Sequence, residues 1–506
     1  MTDSVNDAPE EISQSGKRGN EFAIEQVLYT ADRDGLDDKP VSIDLTEMIA
    51  EIDIFEDLEK PYLTSQIVFM DDMGVISEAK IKGTEHIKIK IGPGKAESEG
   101  EELYFILDFR LVSLLKQESL GDRTEIYVIN CISAHAYKDA AVKVSKSYTG
   151  KLENISKQIL NNAFGDSVEL KFHERYISEE GSVQSPMKVI LPYISPLESI
   201  VWLMERATDQ WGTPFFIWTT IWDQNASDGK IQIRVGNFLT MLREGLKRID
   251  DAEGEAPQFI YSQAFSNKSA TGSTKDQAKI IKSVKFSNIE NTLEMMREGA
   301  VGSTISSLDT YTSQLQSKAF KAKNLISTIT GDAKKLLTTV FDLEDKMEIN
   351  GETKDASDWS SRQRNLLTSY GTYHTFNSYH DAFEDSLLLN KVRPDALLSM
   401  LRRNMIDITV SGISLMKDKL SVGDVIELVF KNSDTENYEA AENNLERSGY
   451  YLIHSCRHIF KGPDHTSVLT LSKVRDTNLV SVKSPWEGDV FLNDGENESD
   501  EGYIDF

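Results

Sequence analysis

Several features that indicate common classes of protein are missing from this chain of 506 residues. It has only two cysteines, Cys131 and Cys456, which excludes a disulfide framework and is typical of assembly in a reducing cytoplasm. The longest apolar stretch, at 213–222, is about half of the ~20 residues that cross a bilayer, so we expect no membrane span. Residues 1–20 are polar and acidic, which predicts a disordered arm rather than a secretory signal.

Positive charge is also scarce. There are 55 Lys and Arg residues against 82 Asp and Glu residues, which gives a formal net charge of −27. No run rich in Lys or Arg and no aromatic pattern of the RNA-binding type interrupts this acidic background, so we do not expect tight binding of nucleic acid. A soluble chain of this length is expected to divide into roughly three domains of about 150 residues each.

Sequence motifs of enzymes are absent as well. There is no Gly-x-Ser-x-Gly elbow, no His-Glu-x-x-His pair and no dinucleotide fingerprint. The segment 92–95 (GPGK) is followed by Ala96 and an acidic stretch, which favours a hairpin turn over a phosphate loop. His374 and His380 are six residues apart, a spacing that fits neither a zinc pair nor a catalytic dyad. We therefore predict no catalytic residues and no cofactor-binding residues.

Two clusters could still carry a site. Residues His454, Cys456 and His458 would share one face of a strand, with His465 as the nearest fourth ligand, but this is not a usual zinc spacing. We expect their placement to be a matter of chance and predict no metal site. An aromatic cluster could stack on sugars, but its position between a helix and a strand favours a role in the core; its members are Trp202, Trp211, Phe215, Phe216, Trp218 and Trp222.

Hydrophobic periodicity divides the chain. Apolar residues alternate with polar ones through much of 41–130, without a helical period, which predicts an antiparallel barrel or sandwich at 21–138. Helical spacing begins at Leu152, and Ser195, Pro196 and Glu198 form a capping-box pattern for a second helix with Gly212 as its expected end. This α/β region covers 139–250 and includes strands at 215–222 and 231–235.

The rest of the chain is less regular. A strand is predicted at 280–287, whereas the polar segment 300–358 is typical of an extended connector. A helix is predicted at 382–403, with a kink or restart at Pro394, followed by strands at 405–410, 425–430, 450–460 and 467–474. Eight acidic residues and no basic residue follow Trp486, which predicts a disordered acidic tail at 479–506.

This order of elements resembles the central baseplate hub protein of T-even-like contractile-tailed bacteriophages, over about 21–478. The resemblance is one of element order and patterning, and it includes these segments: 66–71 (QIVFMD), 85–91 (EHIKIKI), 196–210 followed by 214–218 (PFFIW), 297–303 (REGAVGS), and 397–430 with its turn and strand at 422–428 (VGDVIEL). The chain is longer than the family pattern, mainly at 300–380 and in both tails.

The resemblance implies an α+β, mainly β fold with two antiparallel tail-tube-like β-barrel domains, an α/β domain and a long connector. The second barrel would be discontinuous, built from 257–294 and 402–478, with a connector and helical segment at 295–401. It implies a homotrimer in the virion, assembled in the bacterial host cytoplasm, that binds the central spike protein, the tail tube protein and other baseplate proteins. Duplex DNA would pass through the ring transiently without specific binding, and no cofactor is implied.

Two other functions remain open at this stage. A tail-associated cell-wall hydrolase would need a carboxylate pair in a cleft, and 82 acidic residues make no pair specific. A hub or spike of a related contractile injection or secretion system would share the fold and differ only in its biological setting.

Overall fold

A computed structural model of the chain describes residues 22–31, 41–72, 74, 81–93, 105–120, 124–172, 187–205, 207, 209, 212–224, 230–251, 257–261, 279–288, 292–309, 313–322, 346–349, 351–355, 358–359, 361–368, 392–431, 444, 446–462, 464–476, 482–483 and 489–490. The protein is α+β and mainly β, which confirms the predicted fold class. None of the helices in these ranges is long and apolar enough to cross a membrane.

The first seven strands form one antiparallel unit, which we call the first half-sheet. Its strands are β1 (Phe22–Ala31), β2 (Val41–Asp44), β3 (Ile49–Asp57), β4 (Thr64–Asp71), β5 (His86–Pro93), β6 (Phe105–Leu120) and β7 (Thr124–Ser133). Their order across the sheet is β3-β4-β7-β6-β5-β1-β2. On β5 the residues Ile87, Ile89 and Ile91 are buried while Lys88 is exposed, as a strand with one wet face requires. Strand β7 leads directly into α1 (Ala134–Ala140).

An α/β layer follows, with its own core. Its elements are β8 (Ser147–Gly150), α2 (Leu152–Phe164), β9 (Val168–Phe172), β10 (Met187–Ile190), α3 (Pro196–Met204), β11 (Phe215–Trp218) and β12 (Ile231–Asn237). Helix α4 (Phe238–Asp251) follows β12, and its buried residues belong to the core of the later strands. Helix α3 begins with the predicted capping box of Ser195 and Glu198. It ends at Met204 and not at Gly212, because Gly212 belongs to a separate turn in which its N–H donates to the carbonyl of Asp209.

The polar region before the last strands is more ordered than an extended connector. It contains β13 (Gln258–Tyr261), β14 (Ser283–Asn288), α5 (Thr292–Glu298), β15 (Gly302–Asp309), β16 (Gln314–Lys321), β17 (Lys346–Ile349), β18 (Glu352–Asp355), β19 (Arg362–Thr368) and α6 (Arg393–Leu401). Strands β16, β15 and β19 form a sheet, and its buried residues Ile305 and Phe320 join a large core. Pro394 starts α6 rather than kinking it, and 382–391 lie outside the described residues.

The last strands complete the second half-sheet, which consists of β13, β14 and the strands β20 (Met405–Ser411), β21 (Val425–Phe430), β22 (Gly449–Lys461) and β23 (Asp464–Asp476). Helix α7 (Gly412–Lys417) directly follows β20. A short antiparallel pair, β24 (Val482–Lys483) with β25 (Asp489–Val490), lies within the predicted disordered tail.

The two half-sheets join where β22 pairs with β3, so their strands form one sheet of 13 strands. The first residues of β22 pair with β21, and the segment from Ser455 to Phe460 pairs with β3. The register of β22 against β23 shifts between Ile453 and Ser455, where β22 changes from one partner to the other. No closed barrel is found among the described residues, in contrast to the two barrels that the resemblance implies.

The spatial order of the strands is the same on both sides of this junction, although the order along the chain differs: β7 and α1 follow their hairpin, whereas β20 and α7 precede theirs. Moving outward through the first half-sheet, the hairpin strands β3 and β4 come first, and then β7, which leads into α1. Moving outward through the second, the hairpin strands β22 and β23 come first, and then β20, which leads into α7. The chain therefore carries the same arrangement of three strands and a short helix twice.

Candidate functional site

Most residues that the sequence marked for a possible site lie in the core or outside the described residues. His374, His380, Trp211 and the second half of 92–95 are in the latter group. Strand β11 is buried on both faces, which confirms the core interpretation of its aromatic residues. Phe215 packs with α2 and α3, whereas Phe216 and Trp218 pack with α4 and the second half-sheet. Trp202 and Trp222 are half-buried and pack against neighbouring cores.

The described residues bring polar side chains together at the junction between the half-sheets. On its outer face Arg457 lies 2.6 Å from the carboxylate of Asp53, which is almost completely buried. Glu51 contacts Arg457 at 4.0 Å and Lys461 at 3.6 Å, and the guanidinium of Arg457 also lies 5.7 Å from the centre of the Phe55 ring. These pairs connect β3 with β22 across the sheet, so the outer face of the junction is close to electrically neutral.

The inner face of the same junction holds a buried polar cluster. Cys456 lies directly opposite Glu56 in the β22–β3 register, and His458 follows two residues later on the same face. The distance from Cys456 Sγ to His458 Nε2 is 3.3 Å, and that from His458 Nε2 to Glu56 Oε1 is 3.8 Å. One donor atom from each residue lies within 4.8 Å of the other two. We call these three residues the junction triad.

The fourth residue that the sequence suggested, His465, lies next to the triad rather than in it. Its Nε2 is 3.3 Å from His458 Nδ1, and the Ser467 hydroxyl is 3.2 Å from the same Nδ1. The His465 ring is stacked on Phe460 with ring centres 4.2 Å apart. On its other side lies Gly412, where an added Cβ would come within 2.2 Å of the ring. His465 is thus held in one position beside His458.

His454 is buried but is not part of the triad. It sits where the β22 register shifts, and its carbonyl accepts a hydrogen bond from the N–H of Leu58. Burial lowers the pKa of its imidazole to about 4. The period-two spacing therefore places Cys456 and His458 side by side, whereas His454 is not in their group. The spacing does not reveal Glu56, because no local pattern connects residues 400 positions apart.

Burial disfavours the charged forms of Cys456 and of the neighbouring His465. Burial, followed by the charge of Glu56, raises the pKa of the Cys456 thiol well above its usual value. Burial, followed by His458 and Lys282, holds the pKa of His465 well below the usual value for histidine. Glu56 is 1% exposed, and its Oε1 accepts a hydrogen bond of 2.7 Å from the N–H of Ile221. Its Oε2 is buried without a hydrogen-bond partner.

A second notable surface lies along β6, which is not one of the two junction strands. The strand runs beyond β5, which pairs only with Phe105–Arg110, so that β7 is the only ladder partner of its later residues within the described chain. Four large apolar side chains on β6 are 40–54% exposed, namely Ile106, Val112, Leu114 and Leu115. A long strand edge with exposed apolar side chains is typical of a surface that pairs with another chain.

Comparisons by sequence give no family. No protein-family model matches the chain, and no curated protein matches it significantly by sequence.

Comparisons by structure find tail proteins at low identity. The chain is similar to the 43 kDa tail protein of prophage MuSo2 from Shewanella oneidensis, with 9% identity and a TM-score of 0.44 over 89% of this chain and 98% of that one. It is also similar to the tail protein of Neisseria meningitidis MC58, with 11% identity and a TM-score of 0.44 over 90% and 96% of the two chains. A third similar structure is a component of the E. coli type VI secretion system, with 9% identity and a TM-score of 0.35 over 88% and 76%.

Proposed function

We propose that this protein is the structural baseplate hub of a contractile phage tail. Three copies would form a ring that adapts a threefold central spike to a sixfold tail tube and lets DNA pass. The chain would have no enzymatic activity and would act in the virion through contacts with the spike, the tube and other baseplate proteins. In this proposal residues 21–138 form one ring unit, and residues 257–294 with 402–478 form the other.

The observation that carries the proposal is the repeated arrangement around the junction. The half-sheets present strands β3, β4 and β7 on one side and β22, β23 and β20 on the other, each set leading into a short helix. Two like units in each chain become six like units when three chains close into a ring. A threefold assembly can then offer a pseudo-sixfold surface to a hexameric tube, as closed symmetry requires matching patches on each subunit.

The long edge of β6 supports assembly. An unpaired strand edge with apolar side chains leads to open-ended association unless another chain covers it. In a closed ring each such surface is buried against the neighbouring subunit. The exposed residues Val112 and Leu115 lie on the part of β6 beyond its pairing with β5. We propose that this edge packs against the neighbouring subunit.

The oligomeric state tests the proposal most directly. We expect mass photometry or light scattering of the full chain to give a closed trimer at micromolar concentration. The double variant V112K/L115K should shift the population towards monomer without unfolding the chain. The variant L315K changes another exposed leucine, on β16, and serves as the matched control. A stable monomer throughout this concentration range, together with no threefold ring in assembled particles, would contradict the proposal.

Two further assays separate the hub from its alternatives. Clearing of peptidoglycan in a zymogram would indicate a tail-associated hydrolase instead, and we expect none. Tight binding of duplex DNA at physiological salt, weakening steeply as salt rises, would contradict passage without binding. Gene neighbourhood would distinguish a phage tail from a related injection or secretion system.

A further inference from the structure

The junction triad has the geometry of a metal site. In a tetrahedral zinc site the metal–ligand distances are about 2.3 Å to sulfur and about 2.0 Å to nitrogen or oxygen, which places neighbouring ligand atoms about 3.3–3.6 Å apart. The corresponding separations are 3.3 Å between Cys456 Sγ and His458 Nε2, and 3.8 Å between His458 Nε2 and Glu56 Oε1. The ligand atoms of Cys456 and Glu56 lie within 4.8 Å of each other, so side-chain rotations that move them by about 1 Å would give tetrahedral spacing around one ion.

A cation is what the triad needs. A buried carboxylate is stable when hydrogen bonds or a positive charge replace the water that it has lost. Other buried carboxylates have such partners: Asp223 accepts from Arg234, and Asp424 accepts from Arg248 and from the N–H of Ser421. Glu56 has the N–H of Ile221 on one oxygen, and its Oε2 is buried with no hydrogen-bond partner.

The surroundings of His458 also suit a metal ligand. Its Nδ1 can donate to Ser467 Oγ at 3.2 Å, which leaves the lone pair of Nε2 directed towards Cys456 and Glu56. A second hydrogen bond on the far ring nitrogen is the usual way in which proteins orient a metal-binding histidine. His465 is packed between Phe460 and Gly412 and lies on the Nδ1 side of the His458 ring. The orientation of His458 is therefore set by residues outside the triad.

We propose that Glu56, Cys456 and His458 bind one zinc ion at the junction between the half-sheets. One thiolate, one imidazole and one carboxylate form a donor set that suits Zn²⁺, whereas calcium and magnesium prefer oxygen ligands alone. Binding releases the thiol proton of Cys456 to solvent and leaves one coordination position for a water molecule. This inference replaces the sequence-based expectation of no metal and is independent of the proposed function.

The role of the ion is structural. Glu56 belongs to β3, whereas Cys456 and His458 belong to β22, so the metal would connect the two half-sheets through their shared pair of strands. Each of the three side chains is at most 2% exposed, which leaves no access for a substrate. On the outer face of the same strands, Arg457 and Asp53 form the corresponding polar connection.

Metal content and cobalt spectroscopy test the site. The untagged full chain is loaded with zinc, passed over a chelating resin and analysed by elemental mass spectrometry. We expect about one zinc ion per chain. Replacement of zinc by Co²⁺ should give a thiolate-to-cobalt charge-transfer band. C456S should abolish this band, and H458Q and E56Q should weaken zinc binding by more than the effect of S467A, which we expect to be about 10-fold to 100-fold.

Matched controls distinguish this site from adventitious binding. Cys131 is also a free and buried thiol, but it lies outside the triad, so C131A should keep the zinc content and the cobalt band. H454Q changes a neighbouring buried histidine and should also keep both. Wild-type protein that retains no zinc and shows no cobalt–thiolate band would overturn the proposal, whether or not the variants fold. An unchanged band in folded C456S would overturn it equally.

Discussion

The packing of α4 against β21 leads to a sharp prediction about Gly245. A Cβ atom placed on Gly245 would lie 2.5 Å from Cγ2 and 2.8 Å from Cβ of Val425. Nonbonded carbon atoms normally approach to about 3.5–4.0 Å, so alanine at this position requires a displacement of about 1 Å. Strand β21 is buried along its whole length and is paired on both sides, with β13 and β22, so it has little room to move.

The size of the effect follows from two opposing terms. Alanine improves the helix by about 1 kcal/mol relative to glycine, whereas forcing a methyl group into a packed core destabilises by about 1–3 kcal/mol. Because β21 is fixed on both sides, we expect the steric term to exceed the helix term and G245A to lower the free energy of unfolding by about 1–2 kcal/mol. V425A alone, which removes two buried methyl groups, should lower it by about 2 kcal/mol.

Unfolding of the double variant provides the decisive test. In G245A/V425A the new methyl group occupies the space that valine has left, so the combined loss should be about 1–2 kcal/mol smaller than the sum of the single losses. Urea unfolding at one fixed protein concentration measures this, with hydrogen exchange of α4 and β21 as the local readout. K247A, an exposed change on the same helix, is the control. Additive losses, or a more stable G245A, would refute the reasoning.

Three further predictions concern other contacts. R457A removes the partner of the nearly buried Asp53 and should lower the melting temperature. We expect the free energy of unfolding to fall by only about 1 kcal/mol, because Arg457 is itself 42% exposed. Burial lowers the pKa of His135 to about 4, so between pH 6.5 and pH 4 the unfolded chain binds a proton that the folded chain does not. Stability in urea should therefore fall as the pH falls through this range, and H135Q should reduce the fall. S195A removes the capping side chain of α3 and should lower the free energy of unfolding by about 1 kcal/mol in the same assay.

Each of these has a conservative control. S195T keeps a capping hydroxyl and should retain most of the stability, so equal losses in S195A and S195T would contradict the capping argument. For His135, N161Q changes an exposed residue of α2 that carries no ionisable group, and it should leave the acid dependence unchanged. For the ion pair, R457K should lower the melting temperature less than R457A does. Equal melting temperatures for the wild type, R457K and R457A would show that Asp53 does not need this partner.

Local features of the fold could be predicted from the sequence. The strand at 405–410 depends on alternation, the strand at 425–430 on a short apolar run, and the start of α3 on a capping box, and all three lie where the sequence predicts them. The polar segment 300–358 was predicted less well, because its strands β15 and β16 have few apolar residues. Ile305 and Phe320 order them by packing into a core that residues far along the chain complete.

The candidate site shows the limit more clearly. Cys456 and His458 form a pattern that can be seen in the sequence, but Glu56 becomes their neighbour only because β22 pairs with β3. That pairing is possible because β22 leaves β21 at the register shift beside His454 and continues as the partner of another strand. No periodicity within one strand contains this information, so Glu56 cannot be identified until the sheet is assembled.

The distribution of charge bears on how DNA would pass through the proposed ring. On the outer face of the sheet Arg457, Lys461 and Lys90 each contact a carboxylate, so these three cations are already paired. Eight acidic residues follow Trp486 with no basic residue, which places a large share of the excess at the end of the chain. Charges farther away than about 8–10 Å are screened at physiological salt. If this face lines the ring, DNA would pass because the nearby cations are already paired, rather than because of strong repulsion by the whole protein.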